Sequence, residues 1–234
     1  MRSRDSISRE GFAFVPAAEM RALLGPSEAL ADWTAFAASW NDLELDTHLP
    51  DGHRYRRRRH ATLAARAGEA HFRTEAHQPH YQSLEYNPLA GGIERWFAPM
   101  RAEILAGATF RAVLEFCMGL FGSLAPGRDW HVECHQFRIE ARPGAAGLPT
   151  PEGVHRDGVD YVLVMLVNRV NIESGTTTVH DARGLLLGSF TLSAAFDSAL
   201  VDDNRVRHGV TAVHPVDASI PAYRDVLVVT FRAR

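Results

Sequence analysis

The chain has 234 residues, 46% of them apolar, enough to bury a substantial core, and one domain over 1–234 is the expected organisation. A formal net charge of −3 provides no global field to draw the protein onto nucleic acid or an anionic membrane. Cys117 and Cys134 are too few for a disulfide framework and stand in no C-x-x-C pair, so both are expected as buried thiols.

The first residues, Met-Arg-Ser-Arg-Asp-Ser, lack an apolar signal core, and no stretch reaches the roughly 20 apolar residues of a membrane span. A reducing cytoplasm is the expected location. Apolar spacing predicts helices over 17–24 and 27–40, divided at Gly25-Pro26. A polar stretch with a turn signal at Asp51-Gly52 leads to the basic run Arg54 to His60. Residues 93–121 again show helical spacing, with Trp96, Phe97, Met100, Ile104, Phe110, Val113, Leu114 and Cys117 expected on the core side.

Beyond Gly127 the pattern changes. Residues 130–140 fit a strand, and Pro143 to Gly153 is a Pro- and Gly-rich loop. The apolar runs 161–167 and 226–231 suit strands buried on both faces, and 185–214 holds several short apolar pieces between turn residues. Helices first and short strands after predict an α+β chain: a helical portion of about 1–125, then a sandwich or small barrel over about 126–234.

His155 and Asp157 stand two apart, a spacing that lets both side chains reach one ion at a strand end, and His208 follows 51 residues after Asp157. Two imidazoles and one carboxylate are the donor set of an open-sided Fe(II) site, whereas a closed structural zinc site takes four ligands and usually thiolates. Among twelve histidines an H-x-D pair also arises by chance. Arg224 opens the last apolar strand, where its guanidinium can grip a carboxylate with two parallel hydrogen bonds. The alternative partner for Arg224 is Asp225 at the surface.

These residues, with His135-Gln136-Phe137-Arg138, Leu166-Val167-Asn168, His208-Gly209-Val210-Thr211 and Arg224 to Phe231, and upstream Tyr81 to Asn87 with Gly91-Gly92, resemble the Fe(II)- and 2-oxoglutarate-dependent dioxygenases, specifically their bacterial L-isoleucine 4-hydroxylase-like group of free amino acid hydroxylases. The resemblance spans about 54–231. It implies a double-stranded β-helix, or jelly roll, with flanking N-terminal helices. It further implies His155, Asp157 and His208 on Fe(II), Arg224 on the far carboxylate of 2-oxoglutarate, dioxygen as oxidant, and release of succinate and CO2. The expected substrate is a small molecule, a free L-amino acid or derivative, with no nucleic acid or membrane partner. Arg58 and Arg54 are the candidates for a substrate carboxylate, and Tyr86 and Gln136 for the pocket wall. Two positions depart from the family: Ser174-Gly175 stands where Gly-Gly is expected, and Ile139 replaces a tyrosine, which bears on substrate identity.

Other readings compete. His131, Glu133 and His135 alternate on one strand face and suggest a cupin-like metal cluster, hence an isomerase or sugar-binding protein. The basic run over 54–60 suggests nucleic acid, but of the R-x-N-x-T-x-R ending of base-repair relatives only Thr230 and Arg232 remain. Arg232 is the second candidate for the 2-oxoglutarate carboxylate. A jelly-roll sensor that keeps the site without turnover is the third reading.

Overall fold

A computed structural model describes residues 2–49, 55–69 and 71–234. Arg54 and the Asp51-Gly52 turn lie outside the described residues. In chain order the elements are α1 (Arg2–Glu10), β1 (Phe12–Val15), α2 (Ala17–Leu24), α3 (Trp33–Ala38), β2 (Glu44–Leu45), β3 (Arg56–Ala65), β4 (Phe72–Thr74), α4 (Ala102–Leu105) and α5 (Ala108–Leu124). They continue with β5 (Trp130–Ala141), β6 (Tyr161–Val170), β7 (Ile172–Ser174), β8 (Thr176–His180), β9 (Leu186–Thr191), β10 (Ser198–Asp202), β11 (Arg207–Val210), β12 (Val213–Pro215) and β13 (Ala222–Ala233). Short 3-10 turns at Ser27–Leu30 and Ser39–Asp42 flank α3.

The strands form a double-stranded β-helix. Its larger sheet runs β1-β10-β6-β13-β5-β3-β2, with β4 paired to β3; a three-stranded sheet runs β11-β8-β9, and β12 pairs with β7. Alternation along the long strands sends successive side chains to opposite faces. Leu163, Met165, Leu227, Val229 and Phe231 point to the helical side and join Val113, Leu114, Cys117, Leu120 and Phe121 of α5 in the main core. Val162, Val164 and Val228 point the other way and pack with Val179 and Phe190 of the smaller sheet. The runs of 161–167 and 226–231 are continuously apolar because the sheet is covered on both faces.

The N-terminal portion is not purely helical, since it supplies β1 to the edge of the large sheet beside β10 and β3 to its interior beside β5. Helix over 93–121 is confined to α4 and α5. Trp96, expected in the core, is instead 54% exposed, whereas Phe97 and Met100 are buried as expected. Ser174, where the family carries glycine, has φ 62, and Gly175 follows at φ 74. Glycine takes that left-handed conformation freely, while serine pays about 1 kcal/mol for it. Among the described residues no helix is long and apolar enough to cross a membrane.

Candidate functional site

The structure brings His155 and His208 together through the backbone. The two residues form an antiparallel bridge in which each N–H donates to the other's carbonyl at 2.9 Å, so both side chains leave on the same face, with ring centroids 4.9 Å apart. Asp157 follows two residues on, in a loop organised by one buried carboxylate. Asp203 accepts hydrogen bonds from the backbone N–H groups of Asp157 at 2.9 Å, Gly158 at 2.8 Å and Val159 at 3.2 Å. Gly158 has φ +80, and a Cβ there would come within 2.5 Å of the Tyr86 ring. Only glycine fits that turn.

His155 Nε2 lies 3.3 Å from Asp157 Oδ1, and His208 Nε2 lies 3.5 Å from Asp157 Oδ2. His155 Nδ1 donates to the Gly153 carbonyl at 3.0 Å, which directs its Nε2 at the carboxylate. The three donor atoms fall within 4.8 Å of one another, a spacing one divalent ion can span. Burial pushes His208 down to about 4, so it is neutral at pH 7 with one ring-nitrogen lone pair available. Burial alone also lowers His155, but the Asp157 carboxylate and Glu152 outweigh it and carry its pKa to about 9. Burial raises the Asp157 carboxyl, yet its hydrogen bond to His155 and, at the acidic pH where it titrates, the charge of protonated His208 hold it below the usual carboxylate range. A metal arriving here therefore displaces a proton from His155.

Asp203 touches none of the three donor atoms but sets the path of the chain that carries one of them. Asp203→Ala is expected to weaken divalent-metal affinity about 10- to 100-fold, the usual cost of losing a group that orients a ligand. Anaerobic titration with Co(II), followed by its visible absorption, measures this; unchanged affinity would mean that the loop holds Asp157 in place without the carboxylate.

Between the sheets, a cavity joins this trio to a row of charged side chains from three adjacent strands. Its walls include Val162 and Val164 of β6, Arg224, Val226, Val228 and Thr230 of β13, Glu133, His135, Phe137 and Ile139 of β5, and Arg56 and Arg58 of β3. Arg224 is 2% exposed, and its Nε and Nη2 have no hydrogen-bond partner. Asp225 does not pair with it. Neighbours on a strand face opposite ways, and Asp225, fully buried, instead takes Arg138 at 2.7 and 2.8 Å and Asn168 at 3.0 Å. Burial, with a smaller push from Arg169, lowers Arg224 to about 10, so it remains a cation at neutral pH.

The other sequence candidates separate. Arg58 lines the cavity at 3% exposure, between the rings of Phe97 and Phe137 at 3.6 and 4.4 Å, with Nη2 donating to His135 Nδ1 at 2.8 Å. Gln136 faces the helices, where Nε2 donates to Ser39 Oγ at 2.8 Å, because the odd-numbered residues of β5 take the cavity face. Tyr86 stands outside the main cavity, in a separate recess with Glu152, His155 and Arg156. Arg232 is exposed and lines neither. Ile139 stands in register between Arg224 of β13 and Arg56 of β3, so the position where the resemblance expects a tyrosine lies beside both arginines.

Arg95, His60 and His80 were missed in the sequence. Arg95 and His80 come from the irregular segment before α4 and lock together by mutual backbone hydrogen bonds at 2.9 Å. The expected cluster on β5 also forms differently: Glu133 and His135 are joined by His60 and His80, with donor atoms within 4.8 Å. The only advance signal was that His60 continues the 56, 58, 60 alternation of the basic run.

The model of the 2OG-Fe dioxygenase family matches residues 37–230. A curated relative, 3(1)-hydroxy-L-isoleucine 4-dioxygenase of Pantoea ananatis, is 25% identical over 97% of this chain and 93% of its own length. Among solved structures, a bsmA homolog from Methylobium petroleophilum is 37% identical and superposes with a TM-score of 0.88, covering 99% of this chain and 92% of that one. The structure titled IDO from Bacillus thuringiensis, 17% identical, shares the fold at a TM-score of 0.81 over 100% of this chain and 95% of its own. With the match spanning most of the chain, the protein belongs to the 2OG-Fe dioxygenase family and is a 2-oxoglutarate-dependent non-haem iron dioxygenase, using Fe(II), 2-oxoglutarate and dioxygen.

Proposed function

We propose that His155, Asp157 and His208 hold the iron, that Arg224 binds the far carboxylate of 2-oxoglutarate, and that the enzyme hydroxylates an unactivated C–H bond of a free L-amino acid or a close derivative. The observation that carries the reading is Arg224. A guanidinium buried with two unpartnered nitrogens is costly unless an anion meets it, and it opens into the same cavity as the trio. The donor chemistry fits as well, because two imidazoles and a carboxylate on one side leave room for co-substrate and oxygen. When bound, iron would supply the activation of dioxygen, the oxidant, and 2-oxoglutarate two of the electrons, with succinate and CO2 as products. The chain's part is to hold and orient: Arg224 fixes one end of the co-substrate, and Val162, Val164, Val226 and Val228 keep the reacting region dry.

The amino acid assignment is supported by the Pantoea relative, whose name states an isoleucine-derived substrate, and by Arg58 as a cation for a substrate carboxylate. Anaerobic reconstitution with Fe(II) and 2-oxoglutarate, then oxygen, tests both levels. The expected result is succinate formation stimulated by at least one free L-amino acid, with a mass gain of one oxygen in that amino acid. Succinate without stimulation by any amino acid moves the substrate to another class, while no succinate under any condition removes the iron and co-substrate assignment.

A further inference from the structure

Four arginines, Arg56, Arg58, Arg95 and Arg224, line the cavity with three carboxylates, Glu133, Glu152 and Asp157, and a fourth, Asp46, is buried on Arg56 at 2.7 Å. These charges cancel. Burial keeps His60, His80 and His135 below the ordinary imidazole range, so they add none near neutral pH. With divalent iron in place of the proton on His155, which leaves that imidazole neutral, and with the 2-oxoglutarate dianion bound as proposed above, the added charges cancel too. A substrate of net charge would then be buried without a counterion.

Charge of each sign nevertheless stays open inside. Burial alone would raise Glu133, but His131, His135, His60 and His80 surround the carboxylate and hold it far below its usual range. Its Oε2 accepts from His80 Nδ1 at 2.7 Å, whereas Oε1 has only His131 Nε2 at 3.5 Å and His60 Nε2 at 3.8 Å. Opposite in sign, Arg58 and Arg95 are 3% and 2% exposed, and the Nε–H of each has no acceptor. Both guanidiniums lie near the Phe97 ring, at 3.6 and 6.0 Å.

His60, His80, Glu133 and His135 also have the donor set for a metal ion. Two features oppose one. Arg58 Nη2 donates to His135 Nδ1 at 2.8 Å, so neutral His135 carries its proton on Nε2, the nitrogen that faces Glu133 at 3.6 Å. A second divalent ion would also add two positive charges beside Arg58 in a cavity already balanced. A cation that brings its own anion meets neither objection.

We infer that the cavity reads both ends of a zwitterion, with Glu133 accepting the cationic nitrogen of the substrate and Arg58 and Arg95 its carboxylate. Glu133 and Arg95 are thereby specificity-determining residues. The inference rests on the proposed iron and 2-oxoglutarate positions, which set the charge balance.

Anaerobic calorimetry on the full chain loaded with Fe(II) and 2-oxoglutarate tests it, first with the proteinogenic L-amino acids and then with the N-acetyl and deaminated forms of the tightest binder. Each modified form is expected to bind about 30-fold or more weakly, the effect of leaving one buried charge unpaired. Glu133→Gln should bring the free amino acid and its deaminated form to within about three-fold of each other, because only the cation's partner is lost. Arg95→Met should weaken the free and deaminated forms alike. Failure of every free amino acid to bind, modified forms binding as well as the parent, or discrimination retained in Glu133→Gln overturns the proposal. If the glutamine variant does not fold, the three ligands on the unaltered protein decide. Succinate released in parallel on exposure to oxygen reports separately on the co-substrate reading: succinate with equal binding of all three forms sinks the zwitterion alone.

Discussion

Asp157→Ala reduces Fe(II)-dependent conversion of 2-oxoglutarate to succinate to the level of an enzyme-free control, and His155→Ala and His208→Ala do the same. In the proposed iron site each residue supplies one of three donor atoms, so each removal would leave two ligands. Asp157 carries the larger role, because it is the only anion among the three and lies 3.3 Å from one imidazole nitrogen and 3.5 Å from the other. His155 and His208 would keep their backbone bridge in the Asp157→Ala protein, since that bridge uses no side chain. Loss of activity is therefore expected with a native circular dichroism spectrum. A loss smaller than about ten-fold in any of the three is what an orienting neighbour gives, not a ligand, and would remove that residue from the iron assignment.

Arg224→Met has two expected effects of opposite sign. The 2-oxoglutarate concentration for half-maximal turnover rises about 30-fold or more, since the far carboxylate would lose the buried partner proposed for it, which corresponds to roughly 2 kcal/mol or more. The protein without co-substrate becomes more stable. Methionine fills a similar volume without leaving buried nitrogens unpartnered, and it relieves repulsion from Arg169. A gain of about 1–4 kcal/mol is expected, raising Tm by several degrees. Differential scanning calorimetry with and without 2-oxoglutarate separates the two effects: the variant should melt higher alone and lose the co-substrate's stabilising shift. A lower Tm would show that Arg224 is paired within the protein, and the co-substrate role would have to pass elsewhere.

Long apolar strands were legible because a sheet covered on both faces must be apolar throughout, and β6 and β13 read that way. Strand β3 was not, for the opposite reason. Its Arg56 and Arg58 line the cavity, and His60 and Thr62 share their face of the strand, so the usual apolar-in pattern is inverted over half its length. Trp96 fits a helical stripe by spacing but lies in an irregular segment that forms no helix, and spacing carries no information about burial without one.

Gln136 illustrates a further limit. A motif identifies residues that travel together, while strand alternation decides which face each takes, and Gln136 sits between two cavity residues on the wrong parity. Arg95, His60 and His80 carry no motif; His60 and His80 meet Glu133 on a strand distant in sequence, and Arg95 is placed by His80 and Gln82. What the sequence determined by itself was local and chemical: which residues are donors, which runs are buried strands, and the order of the motifs that resemble the dioxygenases. What only the tertiary structure decided was coincidence in space. The backbone bridge places His208 beside His155, and the register of β3, β5 and β13 sets Arg58, Glu133 and Arg224 along one cavity wall. Such pairings are fixed by hydrogen bonds between strands far apart in the chain, and their energies depend on neighbours that no local stretch of sequence contains.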